Sequence, residues 1–487
     1  MPALRVLHVA AECAPFAKVG GLADVVGALP LALADEGVEA SVVMPLYGGP
    51  GGAVAHRAAP LTLVGASTAR LGDSAFPARI WRSDLLGVPV FFVDEPVHFG
   101  DAGVYFRAAD GLPFAHGAER FVVFQLAVLD WLSSGALPVD ALHLHDNHTA
   151  LIPALQRDAR AETAVCSLPT VFTVHSADHQ GEVSADLWDR LGLPTHDPWR
   201  RERGEINAMQ AAIDLASAVT TVSPGYAREL SADDTVAHGL AAAFRFAGDR
   251  FSGVLNGIDP AVWNPAIDPH LPHTYTADDL TGKAATKAAV CAELNLDATR
   301  PLVAFVGRLM PEKGVEVLLP GLDTLVRTTD ASVALLGTGD PEHEAAVRGL
   351  SGMLAADGYA GRLAAVVAFD ERLAHRLYAA ADVFAMPSRS EPCGLGQMYA
   401  MAYGTPPVVH ATGGLRDTVR AWDGTTGTGF CFDRFTPEAF VAALRDALAV
   451  YHTDAWARLQ RAAMSADFSW NASARLYAGL YRALSAR

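Results

Sequence analysis

The sequence predicts an α/β chain of two doubly wound, Rossmann-like domains. Three observations predict it. Short apolar runs alternate with amphipathic stretches along all 487 residues. The runs are near-continuous rather than alternating, as parallel strands covered on both faces require. The series then restarts in the second half, and the length exceeds the roughly 100–200 residues of one ordinary domain.

In the first series, 6–10, 40–44, 88–93, 141–145, 170–175 and 218–222 read as strands, with helices over 23–35 and 118–132. In the second, 302–306, 332–336, 363–368, 383–386 and 407–409 read as strands, with helices over 314–326 and 371–381. Turn residues crowd Leu255-Asn256-Gly257-Ile258-Asp259-Pro260 and Trp263-Asn264-Pro265. The expected division is 1–248 and 249–461, with a C-terminal helix at 462–487 packing back on the first domain. The stretch 268–279 reads as a surface excursion and 454–487 as an alanine-rich helical tail. No short repeat or low-complexity tract is visible.

Composition narrows the partners. Lys and Arg number 37 against 54 Asp and Glu, a formal charge of −17, which speaks against a nucleic-acid backbone. The five cysteines, Cys13, Cys166, Cys291, Cys393 and Cys431, stand far apart with no CxxC or Cys/His spacing. A disulfide scaffold and a structural zinc site are therefore not expected. The apolar N-terminal stretch is short and runs into a glycine-rich loop, so it reads as a strand and not a signal peptide. No run reaches the ~18 apolar residues of a membrane span. The expectation is a cytoplasmic protein with no membrane partner.

Six motifs follow strands. Lys18-Val19-Gly20-Gly21-Leu22-Ala23-Asp24 offers glycines for close approach, a helix start with free N–H groups, and a cation. It suits an anion or a sugar, and equally a tight turn. His143-Leu144-His145-Asp146-Asn147-His148 invites a metal reading. Taken as alternating to opposite strand faces, His143 and His145 favour a hydrogen-bonding loop instead. His175 ends the strand of Phe172-Thr173-Val174, where open α/β sheets bind ligands. Gly307-Arg308 through Lys313-Gly314 places a guanidinium and an ammonium at a strand-to-helix turn, able to neutralise a diphosphate without a metal. Ser388-Arg389-Ser390-Glu391-Pro392-Cys393-Gly394-Leu395 carries a carboxylate into a helix start. Thr412-Gly413-Gly414 is a second glycine turn fit for a phosphate. One ligand in a deep cleft between the two domains explains all six together.

These motifs resemble the bacterial glycogen and starch synthases, retaining glycosyltransferases of the two-domain GT-B fold. The resemblance rests on Lys18-Val19-Gly20-Gly21-Leu22-Ala23-Asp24-Val25, Glu391-Pro392-Cys393-Gly394-Leu395, Ala411-Thr412-Gly413-Gly414-Leu415, the 255–265 linker and Ser469-Trp470 in the tail. It spans nearly the whole chain. It implies transfer of glucose from a nucleotide-sugar donor, usually ADP-glucose, to the non-reducing end of an α-1,4-glucan, with retention, no metal and no other cofactor. By resemblance, Arg308 and Lys313 hold the diphosphate, Glu391 and Asp24 hold the glucosyl ring, and His175 lies beside it. Lys18, Gly20 and Gly21 line the phosphate end, and Thr412, Gly413 and Gly414 add N–H groups. Tyr105, Asp146 and Asn256 fall on cleft positions. Cys393, Gly394 and Leu395 pack there, and Phe369 stands where an aromatic ring meets adenine.

The chain also departs from that pattern. Ser176 replaces a usual Asn, Ala177-Asp178-His179-Gln180 an apolar-aromatic stretch, and His116-Gly117 an Asp-Asn. Gln210 stands at a usual Lys, Ser390 at a Phe, Gly396 at a Thr and His410 at an Arg, and 238–246 lacks its acidic residue. Two alternatives follow: a GT-B enzyme using UDP-glucose or making short oligosaccharides, and a glucan-binding relative without activity.

Overall fold

The computed structural model describes residues 3–157, 164–194, 197–201 and 203–486. The chain divides into two compact units. The first is Met1–Val222, Ala227–Gly257 and Trp470–Arg487; the second is Ser223–Tyr226 and Ile258–Ser469. The expected boundaries at 248/249 and 461/462 both move. Phe251–Gly253 is the edge strand of the first sheet, so the first unit runs on to Gly257. A helix at Ala455–Met464 stays with the second unit, and only the helix Trp470–Ser485 belongs to the first.

Among its described residues the first unit holds nine strands in one sheet: β1 (Leu4–Val9), β2 (Val38–Pro45), β3 (Thr62–Leu71), β4 (Ser74–Ser83), β5 (Val90–Asp94), β6 (Ala141–His145), β7 (Thr170–Val174), β10 (Ala218–Thr221) and β11 (Phe251–Gly253). A separate antiparallel ribbon pairs β8 (Glu182–Val183) with β9 (Ile206–Asn207). The sheet order is β11-β10-β7-β6-β1-β2-β5-β4-β3. All pairs from β11 to β5 are parallel, and chain order reverses between β1 and β6. That reversal opens a crevice at the carboxyl ends of the strands. The antiparallel hairpin β3–β4 is an addition that the sequence pattern does not announce. Its faces mix polar and apolar residues because one is solvated, and it turns through Gly72-Asp73 with Gly72 at φ 58°.

The helix Gly21–Asp35 buries Val25, Leu29 and Leu33, one turn apart. They share a core with Trp470, Ala474, Tyr477, Tyr481 and Leu484 of the C-terminal helix. Those five recur at spacings of three and four, one face of a helix.

The second unit has six parallel strands: β12 (Leu302–Val306), β13 (Ser332–Leu336), β14 (Leu363–Val366), β15 (Val383–Met386), β16 (Pro407–His410) and β17 (Phe430–Phe432). Their order is β14-β13-β12-β15-β16-β17, the doubly wound order with its switch between β12 and β15. The stretch 268–279 runs largely exposed along the second unit, as expected, but is anchored there by buried residues. Asp268 and Tyr275 are buried; Asp268 accepts from the Tyr403 hydroxyl and lies 2.7 Å from His375 Nδ1, and the Tyr275 hydroxyl donates to Tyr403 O at 2.8 Å. No helix among the described residues is long and apolar enough to cross a membrane.

Candidate active site

In the first unit the predicted residues gather at the carboxyl ends of β1, β6 and β7. The chain leaves β6 through Asp146, held at φ 57° and ψ −178°. That backbone region is nearly glycine-only and costs about 1–3 kcal/mol. The strain places the carboxylate Oδ1 2.6 Å from the main-chain N–H of His175, which donates to it. Asp146 therefore positions His175. Burial pushes its carboxyl up to about 7, against the N–H donors of His175 and Ser176.

The glycine loop ahead of the helix Gly21–Asp35 is held by a carboxylate. The N–H groups of Val19 and Gly20 both donate to Glu12 Oε2, Gly20 at 3.1 Å, so they are not free for an anion. The Tyr105 hydroxyl donates to the other oxygen of Glu12. Burial holds the Glu12 carboxyl above its usual range, while the Tyr105 and main-chain donors oppose this. Lys18 Nζ meets Asp24 Oδ1 at 2.6 Å, both half exposed, a contact worth under about 1 kcal/mol. Glu12 is the residue that sequence reasoning missed. Its signal was a carboxylate two residues beyond an otherwise apolar strand end, Ala10-Ala11-Glu12. Asn256 is buried beneath this edge, its N–H donating to Val222 O at 3.3 Å.

His143 and His145 do not face opposite ways. Residues two apart share a strand face, and their rings stack at 4.2 Å, with His8 4.7 Å from His143. Burial drives the imidazoles of His143 and His145 well below their usual range, and those of His8 and His175 down to about 3. A histidine with a lowered folded value takes up its proton on unfolding. Its contribution is complete above about pH 6.5 and is lost as pH falls toward the folded value. Asp146, raised, acts in the opposite sense between about pH 4 and 7 and offsets about one proton. His8, His143, His145, His148 and His175, all lowered by burial, outweigh it, leaving a net uptake of at least about two protons. Urea melts are expected to lose roughly 2–3 kcal/mol per pH unit below about pH 6, with a shallower slope in His145→Phe.

In the second unit the switch point carries the charged set. Lys313 Nζ lies 2.6 Å from Glu391 Oε2, and the Ser388 hydroxyl donates to the same oxygen at 3.0 Å. Gly314 makes this turn possible: at φ 72°, a Cβ there would stand 2.1 Å from Pro387 O. Arg308 pairs with Glu312 at 2.8 Å and keeps 65% of its side chain exposed. The Thr412-Gly413-Gly414 turn lies against the Glu391–Leu395 loop. Gly414 N–H donates to Glu391 O at 3.0 Å, so it is committed to the fold, contrary to the reading of it as a phosphate donor. Cys393 is buried, and the Gln397 amide bridges Cys393 O and Gly394 O. Leu395 caps the helix Gly396–Ala402. Phe369 projects beyond β14 with 84% of its surface exposed.

Two family models match the chain: one described as starch synthase catalytic domain over residues 5–246, and one described as glycosyl transferases group 1 over 288–463. A glycogen synthase of Anaeromyxobacter sp. is 43% identical, covering 99% of this chain and all of the relative. One from Streptococcus equi subsp. equi is 38% identical with the same coverage. The chain belongs to the glycogen synthase family. The catalytic domain of starch synthase IV from Arabidopsis thaliana, solved bound to ADP and acarbose, superposes with a TM-score of 0.88 at 33% identity over all of both chains. Sucrose-phosphate synthase from Thermosynechococcus elongatus shares the fold, with a TM-score of 0.61 at 21% identity. The protein is a glycosyltransferase with the GT-B fold.

Several departures from the family pattern have local explanations. A Cβ at Gly396 would come within 3.3 Å of both Phe384 and the Tyr378 hydroxyl, so glycine suits this packing. His410 uses Nδ1 to hold Ser388 O at 2.8 Å, steadying the loop that carries Glu391. Ser176 and Asp178 bond each other at 2.9 Å, and Asp178 pairs with His238 at 2.7 Å. The Gln180 amide donates to His238 O at 3.0 Å. The altered segments at 176–180 and 238–246 thus meet each other. Nothing in the structure explains Gln210 or Ser390.

Proposed function

We propose that this protein is a cytoplasmic glycogen synthase that transfers glucose, with retention, from ADP-glucose to the non-reducing end of an α-1,4-glucan. The observation that carries the reading is the Lys313–Glu391 pair at the switch point of the second sheet, where doubly wound domains take their ligands. The ADP bound to the starch synthase relative supports the choice of nucleotide.

In this reading Arg308 and Lys313 meet the diphosphate, Lys313 exchanging Glu391 for phosphate oxygen. The charge that develops on the leaving group is then stabilised by fixed cations, with no metal required. Glu391, released from the ammonium, accepts from glucosyl hydroxyls. Phe369 offers an exposed ring to adenine. Catalysis also needs the first unit's set: His175 and Asp24 on the glucosyl group, Lys18 and Gly21 at the phosphate end. Tyr105 and Glu12 shape the glycine loop.

Retention ordinarily suggests a carboxylate nucleophile. Here Glu12 accepts from two main-chain N–H groups and Tyr105, Asp146 accepts from His175, and Glu391 and Asp24, ion-paired in the free protein, are given over to glucosyl hydroxyls on binding. Each has a positioning duty instead. A front-face route fits better: the departing phosphate oxygen takes the proton of the acceptor hydroxyl as that hydroxyl bonds to the anomeric carbon from the same side.

Release of nucleoside diphosphate from ADP-glucose and from UDP-glucose, each with and without glycogen, tests the proposal. Glycogen-dependent ADP release, unaffected by EDTA, is expected. UDP preference would move the reading to another donor, loss with EDTA would overturn the metal-free account, and glycogen binding without release from either donor would make the protein a binder.

A further inference from the structure

Two fully buried imidazoles stand in a row behind His175. His8 Nδ1 lies 3.1 Å from His145 Nε2, and His145 Nδ1 lies 3.0 Å from His175 Nε2. His8 Nε2 ends the row, buried and without a partner among the described residues. His143 stacks beside the row but is not a link in it. Its nitrogens meet the Tyr481 and Thr173 hydroxyls, each at 2.6 Å. His8, His143 and His145 bring ring nitrogens within 4.8 Å of one another, close enough for a metal triad. Five of those six nitrogens already hold partners, however, so a cation would break bonds rather than satisfy an unmet group.

The row fixes where protons sit. Each contact between two neutral imidazoles holds one proton, and each ring carries one, so all protons in the row point the same way. In one direction His8 Nε2 is a buried N–H with no acceptor. In the other it is a bare lone pair. An orphaned buried N–H is the rarer and costlier of the two.

We propose that His8 and His145 are positioning residues that set the tautomer of His175. Each donates from Nδ1, so His175 accepts at Nε2 and carries its own proton on Nδ1. Among the described residues no protein group bonds that Nδ1, and His175 is partly exposed. His175 therefore meets its ligand as a neutral hydrogen-bond donor and does not take a proton at that atom. Resting on the proposed function, this makes a sugar oxygen, not a hydroxyl proton, what the ring recognises.

Long-range proton–nitrogen NMR of the full chain labelled with nitrogen-15 histidine reads the tautomers, with His175→Gln and His145→Phe as assignment variants. The expected result is the Nδ1–H form for His8, His145 and His175, the reverse of the form exposed histidines favour. In His145→Phe, His175 is expected to leave that form, and kcat to fall at least about 10-fold with the donor KM little changed. His145→Asn, whose amide nitrogen reaches the place of Nδ1, is expected to restore the tautomer and most of the turnover. An Nε2–H His175 in the unaltered chain would overturn the proposal. So would an unchanged His175 tautomer in folded His145→Phe. The unaltered chain gives its answer even where a variant does not fold. Full turnover in His175→Gln alongside the expected tautomers would instead overturn the role given to His175 on the donor.

Discussion

Replacing Lys313 or Glu391 by Ala is expected to lower glucosyl transfer by about 10³-fold while the chain stays folded. The two variants fail for different reasons. Lys313→Ala removes the cation that meets the leaving diphosphate. It also leaves Glu391, 5% exposed, with the Ser388 hydroxyl at 3.0 Å as its nearest side-chain donor. A stability loss of about 1–3 kcal/mol follows. Glu391→Ala leaves an ammonium that is 20% exposed and better able to reach water, so its stability loss is smaller. The double change Lys313→Met with Glu391→Leu is expected to recover stability and not activity, because a buried pair often gives little net stabilisation over apolar neighbours. Single-turnover rates with thermal melts separate the two effects. Unchanged turnover in both single variants would remove this pair from the chemistry.

Gly414→Ala is expected to be strongly destabilising, although it adds a single methyl. The added Cβ would stand 2.3 Å from Cys393 O and 2.5 Å from its Cα, backbone atoms that cannot swing aside. The Glu391 loop and the Thr412 turn must separate, breaking the Gly414 N–H bond to Glu391 O. A loss of at least about 3 kcal/mol is expected, with turnover falling in whatever folds because Glu391 is displaced. Gly20→Ala is the contrast. Its φ is −139° and a Cβ meets nothing within 4 Å, so the melt is expected to move by less than about 0.5 kcal/mol. If Gly20→Ala still loses activity, the ligand approaches that backbone closely, as its sequence motif suggests. Equal melting of Gly414→Ala and the parent would contradict the packing account.

What the sequence made legible follows from physics. The strands 141–145, 302–306, 332–336 and 383–386 appear with the expected bounds, because strands buried on both faces leave a continuous apolar signal. The β3–β4 hairpin left no such signal, having one solvated face. The domain boundary slipped because turn residues at 255–260 follow a three-residue edge strand too short to register. Lys313 and Glu391 were legible as charged residues at strand ends, but their pairing with each other was not, since 78 residues separate them. The histidine row was hidden for the same reason. His8 lies on β1, His145 on β6 and His175 just past the end of β7, strands that become neighbours only through the sheet order. Glu12 was missed because a lone carboxylate reads as surface until the loop folds its N–H groups onto it.

The most direct test of the account is the configuration of the bond that the enzyme makes. ADP-glucose labelled with carbon-13 at the anomeric carbon, incubated with an α-1,4-glucan, reports the new linkage by NMR while ADP release is followed. The account predicts an α-1,4 bond at the non-reducing end, formed in step with glucan-dependent ADP release. A β linkage, or ADP released at the same rate with no glucan present, would contradict it.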